Sequence, residues 1–89
     1  MAIIFDPKKS AANAAARGLP FERVEEFDWS SALVVEDLRF AYPERRFQAL
    51  GDLGGVLHMV VFAVVGDDIR VISVRRASRK ERESYAEKA

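Results

Sequence analysis

The sequence predicts a small α+β domain: a compact antiparallel β-sheet with two helices before it and one helix after it. Three observations carry this expectation. Val56 to Val65 and Ile69 to Arg76 are β-prone runs joined by Gly66-Asp67-Asp68, the composition of a tight hairpin turn. Two helix-start signals, at Asp6-Pro7 and at Pro20, precede the long strands. Ser78 and Glu81 have the spacing of a capping box, which starts a helix after the last strand. With 89 residues, a single domain over 1–89 is expected. Consecutive strands with short links pair antiparallel, and the helices pack on them.

Each element has a local reason. Ala2 to Phe5 is a short apolar run that fits a first or edge strand. Asp6 can accept from the free N–H groups of a helix, and Pro7 suits its first position. That helix runs through KKSAANAAAR and stops at Gly18, a good C-cap. Asn13 is a poor helix former within it, which points to a side-chain hydrogen bond to a neighbouring loop. Pro20 opens a second helix, FERVEEF, whose Phe21, Val24 and Phe27 lie three apart and share a buried face. Ala32 to Val35 and Glu44 to Leu50 read as strands, and Gly51 to Gly55 as a turn. Val56 to Val65 is apolar almost throughout, as in a strand covered on both faces.

The net charge is zero, but the charges are unevenly placed. Glu22, Glu25, Glu26, Asp28, Glu36 and Asp37 make one segment acidic, opposed only by Arg23. Arg70, Arg75, Arg76, Arg79, Lys80 and Arg82 make another basic, opposed only by Glu81. This asymmetry suggests one surface for an anionic partner and another for a basic one. No apolar run approaches the roughly 18 residues that span a bilayer. The start MAIIFDPKK lacks the order of a signal peptide. A cytoplasmic protein with no membrane partner is expected.

The absences narrow the chemistry. One histidine and no cysteine exclude a Cys/His nucleophile pair and most zinc sites. No acidic cluster has a metal-ligand spacing, and no phosphate-binding glycine loop stands between a strand and a helix. Neither a metal nor a cofactor is expected. What remains is arginine, glutamate and a few hydroxyls. Strand alternation puts Glu44, Arg46 and Gln48 on one face and Arg45, Phe47 and Ala49 on the other. It groups Ile69, Val71, Ser73 and Arg75 against Arg70, Ile72, Val74 and Arg76. An arginine planted in such a strand can hold a phosphate by its planar fork. The same residue can instead cap the sheet edge or pair with Glu44 or Glu81. His58 fits a surface or satisfied core position, and Tyr85 fits a residue that packs the last helix on the sheet. If the anion is RNA, metal-free cleavage needs a base for the 2′-hydroxyl, cations for the phosphorane-like state and an acid for the leaving oxygen. Simple nucleic-acid binding fits the composition equally.

Three stretches, in order, resemble the BrnT toxin family. The opening IIFDPKKSAANAAARGLPFERV matches at Phe5, Asp6, Lys9, Asn13, Gly18, Phe21 and Glu22. The middle matches at Asp37, Arg39, Tyr42, Glu44, Arg46 and Gly51. IRVISVRRASRKERESY matches at Arg70, Ile72, Ser73, Arg75, Ala77, Glu81 and Tyr85. The resemblance implies a RelE-like toxin fold and a ribonuclease toxin of a type II toxin–antitoxin pair that cuts RNA and arrests growth. It implies a partner antitoxin of the BrnA kind, with a ribbon-helix-helix part. Operator DNA would be bound only through that antitoxin, in a heterotetramer. Within this frame Arg46 and Arg75 hold the scissile phosphate, Glu44 is the base, and His58 or Tyr85 is the acid. Lys9, Arg17, Arg70, Arg76 and Arg79 extend the RNA-binding surface. Many members have Lys-His-Gly where this chain has Ala16-Arg17-Gly18, an arginine where it has Val65, and a glycine where it has Pro43. The lost histidine motivates an alternative: an attenuated toxin that acts mainly as an antitoxin-binding partner and co-repressor.

Overall fold

The computed structural model describes residues 1–88. Strand β1 (Ile3–Ile4) leads into helix α1 (Pro7–Arg17). The expected caps are in place. Asp6 Oδ1 accepts from Lys8 N at 2.9 Å, and Gly18 closes the helix at φ 69°, where a side chain would be strained. Ser10, buried on α1, latches the next segment: its hydroxyl accepts from Phe21 N at 2.8 Å and donates to Glu22 at 2.7 Å.

The second helix is not the α-helix that the sequence suggests. Phe21–Glu26 forms a 3-10 helix, followed by a second short one at Trp29–Ser31. The spacing of three between Phe21, Val24 and Phe27 is the period of a 3-10 turn, so all three still reach the core. The strands follow as β2 (Leu33–Glu36), β3 (Arg46–Leu53), β4 (Val56–Val65) and β5 (Asp68–Arg76), and α2 (Arg79–Lys88) ends the described chain. The capping box forms as expected: Glu81 N donates to Ser78 Oγ at 3.2 Å and Ser78 N to Glu81 Oε1 at 2.8 Å.

All five strands form one sheet in the order β1-β5-β4-β3-β2. It is mixed rather than purely antiparallel, because β1 lies parallel to β5 through Ile3↔Ile69 and Ile4↔Arg70. Hairpin logic governs β2 to β5 only; β1 reaches the sheet edge from a distant part of the chain. Strand β3 also runs past the expected turn. Gly51, Asp52 and Leu53 pair with His58, Leu57 and Val56, and only Gly54 and Gly55 turn. Gly51 is needed for space: a Cβ there would stand 2.7 Å from Phe27 Cζ.

One sheet face carries the main core, with Leu19, Phe21, Val24 and Phe27 packed on Ala49, Leu53, Val60, Phe62, Val71 and Val74. The opposite face carries a smaller cluster of Leu50, Met59 and Ala77, against which Tyr85 of α2 packs.

Candidate RNA-contacting face

Which arginines share the second face depends on a bulge. Val61 pairs with Ser73 but Phe62 pairs with Val71, so Ile72 has no partner. The alternation predicted for β5 therefore fails in its middle. Ile69, Val71 and Val74 all join the main core. Arg70, Ser73 and Arg75 are then turned to the other face together, although strict alternation separates Arg70 from Arg75. The register gives three rows on that face: Arg46, Ala63 and Arg70; Gln48, Val61 and Ser73; Leu50, Met59 and Arg75.

The four guanidinium groups near this face differ in what they hold. Arg75 forms a fork on Glu81 at 2.8 and 2.9 Å, and Nη1 also lies 3.3 Å from the Arg76 carbonyl. These bonds, with the Ser78 N–H beside them, lower the Glu81 carboxyl to about 2. Arg70 donates to Glu44. Arg39 forks on Asp37 at 2.9 and 2.8 Å and holds that carboxyl far below its usual range. Arg39 also stands close enough to oppose the charge of Arg75. Arg46 is the exception. Among the described residues its guanidinium makes no hydrogen bond, and its Nε lies 3.8 Å from Glu44. It rests instead on the Tyr42 ring, with Cζ 4.3 Å from the ring centroid.

Glu44, Arg46 and Arg70 thus meet on one side of the sheet, and Arg75 lies on the same side two rows further along. His58 does not. It pairs with Gly51 and Arg76 on the core face and is 5% exposed. Its Nδ1 meets the Val56 carbonyl at 2.7 Å, so that nitrogen carries the hydrogen. Tyr85 is on the right face, but its hydroxyl donates to the Ser31 carbonyl at 3.0 Å. It anchors α2 near the start of β2. Arg76 pairs with His58 across the sheet, away from Arg46.

Arg17 joins the site from the side. Its Nη1 lies 3.3 Å from Ser73 Oγ and 3.3 Å from Asn13 Oδ1. Lys9 and Arg17 line an open cleft of about 270 Å³ with Ile72 and Ser73. Arg79 lies on the exposed side of α2 and pairs with Glu83 at 3.3 Å. The acidic segment that suggested a surface for a basic partner resolves largely into local pairs. Glu26 meets Arg23, Glu36 meets Arg45, Asp37 meets Arg39, and Asp28 caps Ser30 and Ser31.

The family described as ribonuclease toxin, BrnT, of type II toxin-antitoxin system matches residues 5–81. The chain belongs to the BrnT family. No curated protein and no solved structure matches it. As a BrnT member it is a ribonuclease toxin of a type II system, a class whose members pair with an antitoxin. The matched span includes every residue of the arginine face. Among the described residues no helix is long and apolar enough to cross a membrane. Asp37, Arg39 and Tyr42, which frame the face, carry no role in the sequence reading. Their signal is the match of Asp37, Arg39 and Tyr42 to the BrnT pattern, which states nothing about what they hold.

Proposed function

We propose that the chain is a metal-independent RNA endonuclease and that it cuts on the face formed by Arg46, Arg70, Arg75 and Glu44. The observation that carries this is the unengaged fork of Arg46 beside a carboxylate. Arg46 would bind the scissile phosphate through its Nη groups and stabilise charge on the phosphorane-like oxygens. Glu44 would take the 2′-hydroxyl proton once Arg70 turns to the phosphate. The 2′ oxygen then bonds to phosphorus and the bond to the 5′ oxygen breaks. That oxygen would take its proton from solvent, since His58 and Tyr85 are engaged elsewhere. Lys9 and Arg17 would extend the RNA track around the β5 edge. The partner would be a BrnA-like ribbon-helix-helix antitoxin, with operator DNA reached through it in a heterotetramer. The fold would be a RelE-like one, with helices packed on the five-stranded sheet.

A second reading rests on specific observations. Arg75 and Arg70 are both tied to carboxylates, and Arg17 stands where many members have histidine. A slowed toxin acting mainly as an antitoxin-binding co-repressor fits these features. The test is cleavage of a defined RNA by purified protein in chelator. Products ending in a 2′,3′-cyclic phosphate support the first reading. Intact RNA together with tight binding to the antitoxin supports the second.

A further inference from the structure

Arg46 is held by a ring rather than by an acceptor, and that ring is itself held. The Tyr42 hydroxyl donates to Asp37 Oδ2 at 3.0 Å. Asp37 is 5% exposed and also accepts from Arg39 N, Nε and Nη2 at 3.2, 2.9 and 2.8 Å. Asp37 N in turn donates to the Arg46 carbonyl at 2.7 Å, tying the loop to the first residue of β3. A buried carboxylate with this many donors has little freedom to move. The chain of support runs from the β3 backbone through Asp37 to the Tyr42 ring and back to the Arg46 guanidinium.

We propose that Asp37 and Tyr42 are positioning residues that fix the Arg46 fork toward the RNA phosphate without occupying its donors. This rests on the ribonuclease reading above. A carboxylate in place of the ring would also fix the guanidinium, but it would compete with phosphate for the same N–H groups, as Glu81 does at Arg75. A ring face restrains the plane and leaves the Nη groups available. Arg39 has a second consequence here. Asp37 offsets much of its charge, so the loop adds little net cation beside Arg46, although Arg39 still opposes the charge of Arg75.

The test uses the full chain, a cleavable single-stranded RNA and its uncleavable 2′-O-methyl counterpart. Tyr42→Leu removes the ring, while Tyr42→Phe keeps the ring and removes its bond to Asp37. Tyr42→Leu should lower kcat by about tenfold or more with a smaller change in KM, the scale expected for a misplaced group. Tyr42→Phe should retain more activity than Tyr42→Leu. In an Arg46→Ala background, Tyr42→Leu should cost no further affinity for the 2′-O-methyl RNA. Thermal unfolding checks that each variant folds; if Tyr42→Leu does not, Tyr42→Phe and Asp37→Asn carry the comparison. A separate readout needs no RNA: the Arg46 Nε–H resonance should feel the Tyr42 ring current and lose that displacement in Tyr42→Leu. An additive loss in the Arg46→Ala background, or an Arg46 signal indifferent to Tyr42→Leu while the wild type still cuts, overturns the brace alone. Intact RNA with the wild type overturns the ribonuclease reading and the positioning role with it.

Discussion

At the scale of single residues, the partners of each arginine decide its role more than its position in the sequence does. Arg46, Arg70 and Arg75 share a face, but among them Arg46 alone makes no hydrogen bond to a carboxylate, its Nε standing 3.8 Å from Glu44. Arg46→Ala should therefore reduce RNA cleavage by about a hundredfold, the scale of losing one donor to a developing charge, with an unchanged melting temperature. A melting point that falls with the activity would move Arg46 from chemistry to scaffolding. Arg75 has a structural duty that spacing alone suggested but did not select. It joins the end of β5 to Glu81, the same residue that closes the capping box of α2. Arg75→Ala and Glu81→Ala should each cost about 1 kcal/mol, typical of a charged, partly buried hydrogen-bonded pair. The double variant should cost little more than either one. Additive losses in thermal melts would argue against a shared bond.

At the scale of elements, the edges and the bulge carry most of what sequence patterning missed. Strand β1 covers only Ile69 and Arg70 of the β5 edge. Further along, Asn13 does the work of a strand: its Nδ2 donates to Val74 O at 2.9 Å and to Leu19 O at 2.6 Å. The sequence pointed to this because Asn is out of place in an alanine-rich helix, but a strand edge as the acceptor was not legible. Asn13→Ala should destabilise the protein by about 1–3 kcal/mol, since two carbonyls lose their partner. Denaturant titration measures this, and a loss below a few tenths would deny Asn13 its role at the edge. Gly51 illustrates the opposite error. Its sequence context reads as a turn, yet it sits inside β3 because the Phe27 ring occupies the place of a side chain. Gly51→Ala should cost about 1–3 kcal/mol through overpacking, and an unchanged midpoint would show that Phe27 can move aside. The β5 bulge was invisible because a strand pattern states alternation but not where it breaks. That break is what brings Arg70 and Arg75 to one side.

At the scale of the whole molecule, the class of fold was legible because strong β runs, caps and turn residues agree with one another. The direction of β1 and the 3-10 form of Phe21–Glu26 were not, since both follow from tertiary packing. The candidate site was legible as a set of residue types, and the structure places Glu44, Arg46, Arg70 and Arg75 on one side of the sheet. His58 could not be placed from sequence, because a lone histidine in an apolar strand gives no sign of which face it takes. The paired carboxylates also shape the response to pH. Glu81 is held at about 2 by Arg75, below its ordinary 4.5, and Glu22, Asp28, Glu36 and Asp37 are lowered as well. A lowered carboxyl stabilises the folded state fully above its ordinary value and loses that contribution as pH falls toward its folded value. Stability should therefore decline below about pH 4.5, and the gap in melting temperature between wild type and Glu81→Gln should shrink from pH 5 to pH 2. A gap that widens on acidification would contradict the assignment.

Cleavage of RNA on the Arg46 face is the proposal on which the other roles depend. The most direct measurement is a comparison of wild-type and Arg46→Ala protein, both purified without antitoxin, on one defined RNA in excess chelator. The wild type should cleave to cyclic-phosphate ends, and folded Arg46→Ala should lose nearly all of that activity. Equal cleavage by the two proteins, or cleavage by neither, would contradict it.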